Sequence, residues 1–235
     1  MTKSRPLIYA TRRLENDMAL ALENAGLDYE ARDFISVEHN FDPQSFKDRL
    51  NHSDTQARVF TSKNAVFSLQ ALLKDDRIEF LPKKNFTVGI KATEMLAELG
   101  IETSVRADNA ISLAQIIARN DDVNAVDFFC GDKALDDLPE YLESKNVKVH
   151  RETVYHTELV HHEVETESID GLLVLSPSAV FSFFKKNKLD EKVPVFCIGA
   201  TTAEAVHLRC DNPRVLADEP TKESTVAKVI EYFSQ

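Results

Sequence analysis

Glycine and cysteine are scarce in this chain, tryptophan is absent, and basic residues are outnumbered by acidic ones. Six glycines serve 235 residues. None of them forms a Gly-x-Gly-x-x-Gly or Gly-x-x-x-x-Gly-Lys-Ser/Thr run, so the usual backbone cradles for a dinucleotide or a nucleoside triphosphate are missing. The cysteines, Cys130, Cys197 and Cys210, are odd in number and far apart. Neither a disulfide framework nor a close-set metal site follows, and they read as buried thiols of a reducing compartment. His-Glu-x-x-His is also missing, and His161-His162 has no third ligand at helical spacing, so the pair reads as solvated linker. Lysine and arginine number 28 against 39 acidic residues, a net charge of −11. That excludes the basic face on which nucleic-acid binding depends. No apolar run approaches the ~20 residues of a membrane helix. The start, Met1-Thr2-Lys3-Ser4-Arg5-Pro6, leads into only a brief apolar run, unlike a secretory signal. A cytoplasmic protein with neither nucleic acid nor membrane as partner is expected.

What is present is a repeat. Ser62-Lys63-Asn64-Ala65-Val66-Phe67 answers to Ser176-Pro177-Ser178-Ala179-Val180-Phe181, and each follows a short apolar run and opens an amphipathic segment. Val88-Gly89-Ile90-Lys91-Ala92-Thr93-Glu94 answers to Ile198-Gly199-Ala200-Thr201-Thr202-Ala203-Glu204. Val105-Arg106-Ala107-Asp108 answers to Val215-Leu216-Ala217-Asp218 at the same offset. Shared register over several elements implies two lobes of similar design with a cleft between them.

Strand-like runs fall at 6–10, 29–37, 57–61, 85–89, 102–106, 125–130, 147–155, 171–175, 194–198 and 213–217. Helical runs fall at 14–25, 43–51, 63–75, 91–99, 111–119, 134–145, 178–187, 201–209 and 221–234. Gly26 and Gly100 suit the left-handed position that ends a helix. Pro82, Pro194 and Pro213 stand at loop-to-strand joints. Strands alternating with helices mean βαβ units and parallel sheets covered on both faces, here two sheets of about five strands. A fainter repeat relates Tyr9-Ala10-Thr11 and its helix to Phe129-Cys130-Gly131 and its helix, with Met18 matching Leu138 and Leu22 matching Leu142. If that type is X and the Ser-x-Asn/Ser-Ala-Val-Phe type is Y, the chain reads X, Y, X′, Y′. The repeats permit a single cut near residue 121, or one continuous lobe inserted into a discontinuous one. The runs 29–40 and 148–160 are long with polar middles, which suits the inserted arrangement with two linkers side by side.

Ser62, Asn64, Ser176, Ser178, Thr201 and Thr202 all fall at strand-to-helix turns. Their ordinary role there is to cap free backbone N–H groups. The same turns form the carboxyl edge of a parallel sheet, where open α/β folds bind ligands. Helix starts and small hydroxyls bind carboxylates and phosphates without a net positive protein. Arg12, Arg13, Lys63 and Lys91 sit near strand ends, where each reads singly as a solvated charge. Tyr155, in a proposed linker, is an ordinary packing residue unless it lines the cleft floor, where its phenol can donate a hydrogen bond at neutral pH.

Together these residues resemble the uroporphyrinogen-III synthase family. The resemblance rests on Thr61-Ser62-Lys63-Asn64-Ala65-Val66, on Ser176-Pro177-Ser178-Ala179-Val180, and on the run Ile198 to Ala205. It also rests on Val154-Tyr155-His156-Thr157 and on Ala217-Asp218-Glu219-Pro220-Thr221. The set spans nearly the whole chain in the family's order. At Lys91-Ala92-Thr93 the hydroxyl stands one place from the family's position, and after Gly131 the chain offers Lys133 and Leu135 where an arginine is common. The resemblance implies two similar flavodoxin-like α/β lobes with parallel five-stranded sheets, joined by a two-stranded linker. One lobe would use 1–36 with 158–235 and the other 39–154, with linkers near 36–40 and 154–160. It implies an enzyme without cofactor or metal, expected to be a monomer. Its substrate would be hydroxymethylbilane, a linear tetrapyrrole octacarboxylate, closed with inversion of the terminal ring and loss of water. Tyr155 would act on the leaving hydroxyl. Thr11, Arg12, Ser62, Lys63, Asn64, Gly89, Lys91, Thr93, Ser176, Ser178, Gly199, Thr201 and Thr202 would bind the substrate. The work would be mainly conformational, bringing the reacting carbons together. A two-lobed binding or sensor protein without chemistry is the alternative.

Overall fold

The computed structural model describes residues 5–75 and 80–234. The chain divides into two compact units, the first made of Met1–Ser36 with Glu158–Gln235 and the second of Val37–Thr157. It is a mixed α/β protein with, among the described residues, one five-stranded and one six-stranded sheet.

The first unit contains β1 (Leu7–Ala10), β2 (Asp28–Ala31), β9 (Gly171–Val174), β10 (Val195–Cys197) and β11 (Arg214–Leu216). Its sheet runs β11-β10-β9-β1-β2. Every adjacent pair in it is parallel. Successive side chains of each strand point to opposite faces, and both faces are buried. Tyr9, Leu172, Val174, Val195 and Cys197 face one core, with α7 (Pro177–Phe183) and α8 (Ala200–His207) upon it. Ile8, Ala10, Leu173 and Phe196 face the other, beneath α1 (Asn16–Asn24) and α9 (Lys222–Phe233). Parallel strands covered on both sides read as continuous apolar runs, as Gly171-Leu172-Leu173-Val174 does.

The second unit contains β4 (Ala57–Phe60), β5 (Lys84–Val88), β6 (Val105–Ala107) and β7 (Ala125–Gly131). Two further strands, β3 (Ile35–Glu38) and β8 (Lys148–Leu159), run across the boundary residues. Its sheet order is β3-β8-β7-β4-β5-β6. Val59, Phe86, Phe128 and Cys130 face α5 (Ala110–Ala118) and α6 (Asp137–Ser144). Phe60, Phe129 and Val154 face α2 (Pro43–Leu50), α3 (Lys63–Asp75) and α4 (Ile90–Glu98). Counted from β7, the parallel strands of this unit lie in the order second, first, third, fourth, fifth, which is also the order of the first unit. The two sheets are therefore the same pattern entered at different points of the chain, as in the inserted one of the two arrangements that the X, Y, X′, Y′ order permits.

Two expectations are corrected. The run 29–37 is not one strand but two, β2 in the first sheet and β3 in the second. Between them Arg32 and Phe34 donate their N–H groups to the carbonyls of Ala10 and Thr11, and the Phe34 ring is fully buried against Tyr9 and Phe183. That anchor ends one strand before the other begins. The second sheet accordingly has six strands rather than five, because β3 adds itself beside β8.

At the amino side of the second sheet, charges are buried in matched sets. The Asp127 carboxylate, fully buried, accepts from Thr55, Lys83 and Arg49. Arg58 donates to the carbonyls of Leu50 and Leu81 and to the side chains of Asn51 and Asn85. Burial lowers its pKa to about 10, against the pull of Asp127. These groups are structural, since buried charge is tolerated only when paired and hydrogen-bonded.

Candidate active site

In open parallel sheets the ligand edge is the carboxyl edge, where neighbouring strands connect in opposite directions. In the second unit that point lies between β4 and β7. β4 ends at Phe60, just before Ser62, and β7 ends at Gly131. Tyr155 is brought to the same place by an irregularity. Cys130 pairs with Thr153 but Gly131 pairs with Tyr155, so Val154 is an extra residue opposite the β7 end. Such a bulge re-aims the side chain that follows it. The Tyr155 ring then lies directly on Gly131, where a Cβ would stand 2.4 Å from two ring atoms. The Ser62 side chain and the Gly131 backbone lie beside the phenol and favour its ionised form. Burial outweighs them and raises its pKa above the ordinary 10, so it is a firmly protonated donor.

Asp132 locks this arrangement. Its N–H donates to the Tyr155 carbonyl at 3.1 Å and its carboxylate accepts from the Thr157 N–H at 2.8 Å. Burial pushes the Asp132 pKa up, but the Thr157 N–H and Lys133 hold it below the usual carboxylate value.

The residues expected to bind substrate fall into groups. Ser62 takes the Asn64 N–H at 3.2 Å, and Ser176 takes the Ala179 N–H at 3.2 Å, so both act as caps. Thr11 is buried with its hydroxyl on the Leu173 carbonyl, and Thr93 is hydrogen-bonded to Thr87 and the Gly89 carbonyl. Thr202 is buried, whereas Thr201 is exposed and Ser178 half-buried. Arg12 is half-buried, Lys63 heads α3, and Lys91 is exposed 3.8 Å from Glu94. Gly89 has φ +77° and begins α4, a conformation that favours glycine. Gly199 begins α8 in fully extended backbone, which any residue adopts. The starts of α1, α4, α6 and α8 have no side-chain cap, leaving N–H groups for a ligand. His161 and His162 serve the fold, hydrogen-bonded to Ser182 and to the Asp33 carbonyl.

Reasoning from the sequence missed an apolar rim. Phe67, Ile90, Ile111 and Leu135 are 45%, 53%, 38% and 60% exposed. Each lies in the opening of the helical segment that follows β4, β5, β6 or β7. Exposed large apolar groups gathered at one edge mark a ligand or partner surface. The signal was in the chain, as an apolar residue at a helix start where a polar one is usual.

These features define a class: a parallel α/β protein of two like units with polar and apolar groups at a sheet's carboxyl edge. A family model described as Uroporphyrinogen-III synthase HemD matches residues 16–227. The chain belongs to the uroporphyrinogen-III synthase family, enzymes of tetrapyrrole biosynthesis. Its fold is similar to the crystal structure of uroporphyrinogen-III synthetase from Helicobacter pylori 26695, with a TM-score of 0.65 and 17% identity over 97% of this chain and 99% of that one. A mutant uroporphyrinogen III synthase from the extremely thermophilic bacterium Thermus thermophilus is similar at a TM-score of 0.68 and 15% identity, over 97% and 98% of the two chains. No curated protein matches the sequence. Among the described residues, no helix is long and apolar enough to cross a membrane.

Proposed function

We propose that hydroxymethylbilane is closed at the carboxyl edge of the second unit's sheet, with Tyr155 as the group that assists loss of its hydroxyl. The observation that carries this reading is the bulge-set Tyr155, seated on Gly131 beside Ser62 at the strand-order switch. A protonated phenol donates to the departing oxygen, and with one proton from solvent the hydroxide leaves as water. The azafulvene so formed is attacked by the substituted carbon of the terminal pyrrole. The spiro compound breaks and rejoins with that ring inverted.

The substrate is both an octacarboxylate and a chain of flat rings, and the edge offers both chemistries. In the second unit the uncapped starts of α4 and α6, the turn at Asn64 and the Ser62 hydroxyl suit carboxylates, with Lys63 and Lys91 as cations, and the first unit's own carboxyl edge carries Arg12, Ser178 and Thr201. Phe67, Ile90, Ile111 and Leu135 suit pyrrole faces. The shared strand order supports two flavodoxin-like lobes, joined by β3 and β8 as a two-stranded linker. The enzyme is a cyclising hydro-lyase without cofactor, monomeric and cytoplasmic in this reading.

The test is product analysis with freshly made hydroxymethylbilane, separating type I and type III isomers. Type III product above the uncatalysed background is expected. Type I product alone, at the uncatalysed rate, refutes the reading. Tight binding without turnover would turn it into a binding or sensor protein.

A further inference from the structure

Tyr155 has a titratable neighbour that the reaction above leaves unused. His39 follows β3, and its ring centroid lies 4.6 Å from that of Phe67 and 6.3 Å from that of Tyr155. Its Nδ1 is 2.7 Å from the Ser68 hydroxyl. The Ser68 oxygen is also 2.7 Å from the Val154 carbonyl oxygen and 3.1 Å from that of Asn64. A hydroxyl has one proton, and both carbonyls can only accept it. With that proton on a carbonyl, the remaining partner must donate, which places the imidazole proton on Nδ1. Nε2 then carries the lone pair. Among the described residues Nε2 has no hydrogen-bond partner. The same Ser68 hydroxyl grips the bulge residue Val154, so one side chain fixes both the His39 tautomer and the strand that presents Tyr155.

We propose that Nε2 of His39 is the proton acceptor of this site, taking the last proton from the cyclised tetrapyrrole. The proposal rests on the reading of the site given above. The proton count requires such a group. Loss of hydroxide breaks a C–O bond and takes up one proton to form water. The final C–C bond forms at a pyrrole carbon that still carries its hydrogen, and loss of that proton restores the aromatic ring. Nε2 takes it, and the imidazolium returns it to solvent. Tyr155 cannot do this as a firmly protonated phenol. Along the elements that carry these contacts the titratable groups are Glu38 on β3, Lys63 on α3, and Tyr155 and His156 on β8, with the Asp132 N–H bonded to the Tyr155 carbonyl. Burial pushes the His39 pKa below the ordinary 6.5, which keeps the ring neutral near pH 7.

The experiment is the pH profile of turnover for the wild type, His39→Gln and Ser68→Ala, with KM measured alongside. In the wild type, kcat falls as acid protonates Nε2. Because the pKa is lowered, that limb lies below pH 6.5. His39→Gln should lower kcat roughly 10²-fold with KM little changed, and should lose the acid limb. Ser68→Ala keeps the imidazole but frees its tautomer, so it should lower kcat by less and retain the limb. If His39→Gln does not fold, His39→Phe, which keeps the contact with Phe67, must show the same loss. Wild-type turnover, or an unchanged acid limb, in the folded variant overturns the role of His39 alone. A wild type that forms no type III product overturns the reading of the site and this proposal with it.

Discussion

The Tyr155 ring occupies the space that a side chain on Gly131 would fill, with a Cβ there 2.4 Å from two ring carbons and 2.8 Å from the phenol oxygen. Gly131→Ala must therefore move the tyrosine or the end of β7. Overpacking of this kind costs about 1–3 kcal/mol. Turnover should fall at least as far as in Tyr155→Phe, because the ring itself is displaced. Steady-state kinetics beside a denaturant melt checks this, and a fully active Gly131→Ala would separate the contact from catalysis.

Tyr155→Phe keeps the ring on Gly131 and removes only the phenol. A decrease in kcat of about 10²-fold is expected, at the low end for one positioned donor, because the hydroxyl leaves readily from a pyrrole-stabilised centre. The residual product should remain mostly type III, since inversion depends on how the substrate is folded. Burial disfavours the phenolate, so the midpoint of any activity loss through Tyr155 ionisation should lie above pH 10 in the wild type. Type I product from the variant would mean that the phenol shapes the substrate instead.

Gly89 and Gly199 hold matching places before α4 and α8 but differ in backbone. Gly89→Ala meets no atom within 4 Å, yet φ +77° with ψ 156° is backbone open essentially to glycine alone, and the substitution should cost about 1–3 kcal/mol. Gly199→Ala is extended, with Pro220 at 3.9 Å as its nearest contact, and should be close to neutral. Thermal unfolding of both variants tests the contrast, and equal losses would contradict it.

Asp127→Ala leaves Lys83 and the Arg49 guanidinium without their buried partner. Removing one member of a buried pair typically costs about 3–5 kcal/mol. Urea unfolding should show a loss of that order, while the folded fraction keeps its kcat, because Asp127 sits at the amino side of β7. A loss under about 1 kcal/mol would mean that Lys83 and Arg49 reach solvent when unpaired.

The alternation of strands and helices was legible because the sheets are mostly parallel and buried on both faces, so apolar runs such as 171–174 stand apart from amphipathic ones. The repeat was legible because the units share a strand order. The break at Phe34 was not, since a strand changes sheets there for tertiary reasons that no local pattern carries. The site was half legible. Tyr155 and Ser62 stood among the candidates, but their coming to one place depends on a bulge opposite Gly131 that appears only on pairing β7 with β8. Nothing in the sequence singled out His39, whose contact with Ser68 joins two different elements. Thr11 and Thr93 stood at suitable turns, yet their hydroxyls point into the fold.

The sheet order carries a consequence for synthesis on the ribosome. β1 stands between β2 and β9, and β9 begins only at Gly171. The early strands of the first unit must therefore wait for the nascent chain to deliver their central partner. Meanwhile every strand of the second sheet has emerged once Leu159 is clear. The inserted unit can reach its native pairing first, while β1 and β2 remain half-paired and exposed to other chains. A slowed or truncated translation product would thus hold one finished unit and two orphan strands, the state in which this protein is most open to aggregation.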